Sequence, residues 1–167
     1  MPITTLIDFA NGARVAQALS GDPAAEYLFA NSGSYGFIAK LAELAGRNRA
    51  GKAFMSLEDG EQVLRPTPCE GEWIAAASAN GRLLWFPRAE MKVMARGRGV
   101  IVMGLDDQET LVGVACPASP QVTVSGIGRG NREISFEVKG VALQACLGKR
   151  ARKGSVLAPK IKPSTLI

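Results

Sequence analysis

The constraint that governs the rest of this sequence is internal repetition, at a beat of about 48 residues. Thr4-Thr5-Leu6-Ile7-Asp8, Met55-Ser56-Leu57-Glu58-Asp59 and Met103-Gly104-Leu105-Asp106-Asp107 share one plan, a leucine ahead of an acidic turn, with the leucines 51 and 48 positions apart. A second set of anchors keeps nearly the same spacing. Tyr27-Leu28-Phe29-Ala30-Asn31 runs on to Gly36-Phe37-Ile38, Trp73-Ile74-Ala75-Ala76-Ala77 to Gly81-Arg82-Leu83-Leu84-Trp85-Phe86, and Gln121-Val122-Thr123-Val124-Ser125 to Ile134-Ser135-Phe136-Glu137-Val138. Each unit closes on a basic, glycine-bearing stretch: Arg47-Asn48-Arg49-Ala50-Gly51-Lys52, Arg96-Gly97-Arg98-Gly99 and Lys149-Arg150-Ala151-Arg152-Lys153-Gly154.

Within a unit, runs of four to seven apolar or β-branched residues lie between Gly, Asn, Asp and Pro clusters, as half-buried strands do. Asn80-Gly81 predicts a two-residue hairpin turn with both residues at positive φ. Ile38, Leu41, Leu44 and Ala45 support one or two helical turns at most. Several strands per unit is the arithmetic of an all-β propeller, whose blades carry about four strands each. The 167 residues hold about three and a half such blades. The sequence thus predicts an incomplete or open ring of three to four blades over 1–158, with units of about 1–51, 52–99 and 100–158. Residues 159–167, with Lys160-Ile161-Lys162-Pro163-Ser164-Thr165, read as a frayed tail.

Charge and composition narrow the function. The chain carries 20 Lys+Arg against 15 Asp+Glu, and the excess sits in the second and third units. It has no histidine, which excludes Ser/His/Asp and Cys/His triads and His-ligated metal. Three cysteines without a Cys-x-x-Cys predict neither a disulfide framework nor a zinc ribbon, and fit a reducing cytoplasm. No apolar run approaches a membrane span and no export leader is visible, so neither membrane nor secretion is expected.

Tyr35-Gly36-Phe37-Ile38 followed by Arg47-Asn48-Arg49-Ala50-Gly51-Lys52-Ala53 resembles the C-terminal domain of the A subunit of bacterial topoisomerase IV, as do Asn80-Gly81-Arg82-Leu83-Leu84-Trp85-Phe86-Pro87 and the basic stretch 149–154. The resemblance implies a β-pinwheel, a propeller-like domain whose blades exchange strands and whose basic rim binds duplex DNA. It implies no cofactor in this chain, with ATP and Mg²⁺ used elsewhere in the enzyme. The other partners it implies are the rest of the A subunit, with the B subunit reached through it, in a nucleoid-associated bacterial cytoplasmic protein. The related gyrase A domain carries a Gln-Arg-Arg-Gly-Gly-Lys-Gly box that has no counterpart here, which favours topoisomerase IV over a DNA-wrapping gyrase domain.

The basic residues read as a sequence-independent phosphate-contacting rim, because guanidinium and ammonium groups on glycine-bearing loops approach a duplex closely and release its counterions. The candidate contacts are Arg47, Arg49, Lys52, Arg82, Arg88, Lys92, Arg96, Arg98, Arg129, Arg132, Lys149, Arg150, Arg152 and Lys153. A solvated rim without a partner, or a module meeting an acidic protein, is the competing reading. Gly46–Ala53 nearly spells a nucleotide-binding phosphate loop, but Ala53 lacks the hydroxyl that Mg²⁺ requires. Tyr35 reads as a packed or rim tyrosine, Glu43 and Glu90 as turn-ordering carboxylates, Cys69 and Cys116 as small core residues, and Trp73, Trp85 and Phe86 as packing aromatics. The chain is accordingly read as non-catalytic. Replacing Arg150, Arg152 and Lys153 by alanine is expected, on the sequence alone, to weaken duplex binding without lowering thermal stability.

Overall fold

The computed structural model describes residues 20–45 and 53–167. In chain order, the first hairpin is β1 (Glu26–Ala30) and β2 (Tyr35–Lys40), followed by the single turn α1 (Leu41–Leu44) and the short strand β3 (Thr67–Pro68). The second hairpin is β4 (Trp73–Ser78) and β5 (Arg82–Pro87), followed by β6 (Val100–Ile101) and β7 (Leu111–Ala115). The third is β8 (Gln121–Ile127) and β9 (Glu133–Lys139), followed by α2 (Val141–Gln144), β10 (Ser155–Val156) and β11 (Lys162–Leu166). The architecture is all-β, with antiparallel sheets in an open, propeller-like array.

The sheets are not consecutive in sequence. Their strand orders are β3-β1-β2-β6, β7-β4-β5-β10 and β11-β8-β9. Each of the first two hairpins therefore takes one flanking strand from just before the next hairpin and one from just after it. Gly36 pairs with Val100 and Leu83 with Ser155, at matching positions of β2 and β5. Both of these blades are completed by chain that belongs to a neighbour, the exchange expected of a pinwheel.

Burial explains the apolar runs. The second sheet is covered on both faces: Ile74, Ala76, Leu84 and Phe86 pack toward the first sheet, while Ala75, Ala77, Leu83 and Trp85 pack toward the third. Successive side chains point to opposite faces, so a doubly covered strand is apolar at every position. In β9 the exposed residues Glu133, Ser135, Glu137 and Lys139 alternate with Ile134, Phe136 and Val138, because one face meets solvent. Trp85 and Phe86 are buried, and the half-exposed Trp73 stacks on Trp85 with ring centroids 5.7 Å apart.

Two local expectations are corrected. The second hairpin turns through three residues, with the Gly81 N–H donating to the Ser78 carbonyl at 3.1 Å and Gly81 alone in the left-handed region at φ +86°. Asn80 keeps a negative φ, and its carboxamide is engaged with Glu109. The segment expected to fray is ordered. Its β11 pairs with β8, Leu166↔Val124, and Leu166 together with Ile161, just before the strand, is buried in the core between the second and third sheets. The lone apolar positions among polar neighbours concealed a strand that is apolar on one face only.

Entry of the exchanged strands depends on close backbone approach. Gly154 has φ +72°, and a Cβ there would lie 2.3 Å from the Leu83 carbonyl oxygen. Gly60 has φ +83° but open space around it. Gly154→Ala is therefore expected to destabilise by about 2 kcal/mol or more and to lower Tm by roughly 4–8 °C, whereas Gly60→Ala should cost about 1 kcal/mol, as read by thermal denaturation.

Candidate nucleic-acid interface

The acidic turns fold back onto the hairpin tips. In the first, the Glu61 N–H donates to the Glu58 carbonyl at 3.1 Å, with Gly60 left-handed. Glu61 Oε2 accepts Asn31 Nδ2 at 3.0 Å from the tip of the first hairpin, and Arg98 grips both carboxylate oxygens at 2.5 and 3.0 Å. The Arg98 guanidinium also lies 4.0 Å over the Tyr35 ring. In the second turn Glu109 accepts Asn80 Nδ2 and Arg82 Nη2, both at 2.6 Å, and Asp106 is shared between Arg82 and Lys153. These are charge-assisted latches that join a turn of one unit to a hairpin of another.

The latches shift the titration of their members. Burial pushes the Glu61 carboxyl up, but the Arg98 hydrogen bonds and charge outweigh it and hold the group below its ordinary 4.5. Lys153 and then Arg82 hold Asp106 below its ordinary 3.8. Hydrogen bonding to Glu109, against burial, raises the Arg82 guanidinium further.

The latches and related contacts occupy five candidate residues. Arg82, Arg98 and Lys153 are ion-paired in the latches, and Arg88 pairs with Glu26. Arg150 donates Nη1 to the Ile101 carbonyl at 2.6 Å, and its backbone N–H donates to Glu90 Oε1 at 3.1 Å. Glu90 and Glu43 do order turns, the latter by accepting the Lys40 N–H at 3.4 Å. Replacing Arg150, Arg152 and Lys153 together thus removes structural bonds, and the expectation of unchanged stability is revised.

Backbone pairing carries two of the basic loops to equivalent sheet edges. Ile38 donates to the Lys92 carbonyl at 2.9 Å and accepts the Met94 N–H at 2.8 Å; Trp85 likewise donates to Cys146 and accepts from Gly148, both at 2.9 Å. Further on, the Gly97 N–H reaches the Phe54 carbonyl at 2.7 Å, and the Ala151 N–H reaches that of Val102 at 3.0 Å. Lys92 is part of one anchor and Arg96 follows it, while Lys149 and Arg152 follow the other. All four are exposed, with no ion pair or hydrogen-bond partner for their side chains among the described residues. Arg47, Arg49 and Lys52, with most of the phosphate-loop-like stretch that ends at Ala53, lie outside the described residues.

The third hairpin tip breaks the pattern. Leu157 docks on Gly81 by a 2.8 Å backbone bond just as Val102 docks on Ser34. The acidic turn that follows Val102 is replaced after Leu157 by Ala158-Pro159-Lys160-Ile161. Where a carboxylate latches the first two tips, Arg129, Lys160 and Lys162 instead border a cleft of about 970 Å³, and Arg132 lies beside it with Arg129 and Lys160. Lys160 and Lys162 escape a reading that treats this segment as a tail. The lack of acidic residues at this point of the repeat is the signal that marks them.

An open, strand-exchanged propeller with cationic loops pinned to successive sheet edges defines a class of β-propeller domain. The chain belongs to the family described as DNA gyrase C-terminal domain, beta-propeller, whose model matches residues 25–70 and 72–118. It is 35% identical over 159 residues to the A subunit of DNA topoisomerase 4 from Neisseria gonorrhoeae, covering 91% of this chain and 21% of that protein. It is 32% identical over 156 residues to the corresponding Pseudomonas aeruginosa protein, covering 87% of this chain and 20% of that one. The chain thus spans about a fifth of the length of these relatives. The solved E. coli ParC C-terminal domain superposes with a TM-score of 0.85 at 22% identity, covering 99% of this chain and 69% of that one. A DNA gyrase A C-terminal domain superposes at 0.73 and 16% identity, covering 98% and 56%. These structural likenesses show the fold.

Acid should loosen the latches. Glu61 and Asp106 have folded pKa values below their ordinary ones, so their contribution is present above about pH 4.5 and is lost as pH falls through the lowered values. Glu61→Gln is expected to lower Tm at pH 7 and to lose less than the wild type between pH 5 and pH 3, as checked by thermal melts across that range.

Proposed function

We propose that this chain is a non-catalytic DNA-binding domain from the A subunit of a topoisomerase IV, holding duplex DNA by its phosphates without sequence preference. The observation that carries this reading is the pair of basic loops pinned by matching hydrogen bonds to the edges of successive sheets, with Lys92, Arg96, Lys149 and Arg152 exposed and unpaired among the described residues. No aromatic residue interleaves these four cations, which favours contact with a duplex backbone over stacking on single strands. Arg47, Arg49 and Lys52, outside the described residues, add further phosphate contacts, and Arg129 and Arg132 extend the surface at the third tip. Arg82, Arg88, Arg98, Arg150 and Lys153 support it by holding the loops and blades in place.

In the whole enzyme such a domain presents the transported duplex and so tunes decatenation and supercoil relaxation. Strand cleavage, ATP use and Mg²⁺ binding then belong to regions outside this chain, as do the contacts with the B subunit. Among the described residues no three His, Cys, Asp or Glu side chains are grouped to hold a metal ion, and no helix is long and apolar enough to cross a membrane. A bacterial cytoplasm, at the nucleoid, is the setting this function requires.

Fluorescence anisotropy with two unrelated duplexes tests the proposal. Equal affinities are expected, falling with salt by about 0.9 log unit per log unit of salt for each phosphate contact. Lys92→Ala, Arg96→Ala, Lys149→Ala and Arg152→Ala combined should weaken binding and flatten that slope while Tm stays within about 2 °C. Salt-independent binding, or preference for an acidic polypeptide over DNA, would refute it.

A further inference from the structure

Cys69 and Cys116 hold matching places in successive units, and the strand exchange brings them face to face. Cys69 follows β3, and its N–H donates to the Glu26 carbonyl at 2.9 Å. Cys116 follows β7; its carbonyl accepts the Glu70 N–H at 3.0 Å, and its Sγ donates to the Gly71 carbonyl at 3.2 Å. Thr67 Oγ1 ties the same two segments together by donating to the Val114 carbonyl at 3.0 Å. Cys116 sits in the core cluster between the first two sheets and Cys69 packs against that cluster, and all three cysteines are free thiols.

The surroundings make the pair unequal. The Cys69 thiol, aided by the Arg88 guanidinium, holds that of Cys116 below the usual thiol range against the opposing effect of burial. Cys69 is pushed up in return, by the Cys116 thiol and by burial. Cys69 is half-buried; Cys116 is 1% exposed and borders a cleft of about 320 Å³ shared with Thr67, Pro68 and Glu70, through which a small hydroperoxide would have to approach. Cys146 is buried in the other large core cluster, where burial raises its thiol.

We propose that Cys69 and Cys116 are an oxidisable dithiol that hydroperoxides convert to a disulfide joining the first sheet to the second. The Cys116 thiolate attacks one peroxide oxygen, the O–O bond breaks, and the departing oxygen takes a proton and leaves as water or an alcohol. The resulting sulfenic acid is attacked at sulfur by Cys69, which gives up its proton as the S–OH oxygen leaves as water. Two thiols are oxidised to one disulfide, and the peroxide is reduced. The bond spans the whole second hairpin, so it restricts the unfolded chain and resists separation of the two blades.

The test uses the intact chain, reduced, freed of reductant, treated with hydrogen peroxide, alkylated and digested without reductant. Mass spectrometry should find the Cys69 and Cys116 peptides joined with the loss of two hydrogens, and Cys146 alkylated. Tm should rise by roughly 5–10 °C and return on adding dithiothreitol. Cys69→Ser should stop at a Cys116 sulfenic acid that dimedone traps. Equal alkylation of all three cysteines after peroxide, or a disulfide through Cys146 or between chains, would overturn the assignment. The wild-type cross-link decides the matter even where a serine variant folds poorly.

Discussion

The structure depends on backbone pairing between strands that are distant in sequence. The two-residue strands β6 and β10 are too short to hold a position alone, yet each completes the sheet of an earlier hairpin. Because both faces of the second sheet are covered, the register of β4 and β5 determines which side chains enter each of two cores. Exchange therefore couples the blades: neither of the first two hairpins can complete its sheet until the following hairpin has delivered its flanking strands. The same coupling sets the basic loops at fixed edges, since each loop is the chain on its way to being exchanged.

Charge divides into two roles. Arg82, Arg98 and Lys153 lie against carboxylates that clamp hairpin tips, and their positive charge is largely neutralised locally. Lys92, Arg96, Lys149 and Arg152 leave the same loops without partners among the described residues, so their field is available to an anionic polymer. The repeat also shows what happens when a clamp is missing. At the third tip no acidic turn arrives from the described residues, and among these none neutralises the cations gathered around the cleft. Net charge conceals this division, because a clamped arginine and a free one count equally in the sum.

Much of the architecture was legible in the sequence. The 48-residue beat, the leucine before each acidic turn and the apolar runs are direct consequences of blades built on one plan, and they indicated an open, all-β, propeller-like ring. The exchange itself came only through the resemblance, since composition does not say which strand pairs with which. The Asn80-Gly81 turn was placed correctly but assigned the wrong form, because the Asn80 side chain is engaged by a glutamate 29 residues away. β11 was invisible because Lys162-Pro163-Ser164-Thr165-Leu166 buries only two of its five residues.

What the sequence determined by itself was the repeat, the all-β class and the concentration of positive charge in the loops that close each unit, because these follow from residue type and local order. Only the tertiary structure decided which cations are clamped and which are free, and that Cys69 meets Cys116. The physical reason is that ion pairs and thiol contacts act over a few ångströms, and strand exchange brings together groups that lie tens of residues apart along the chain.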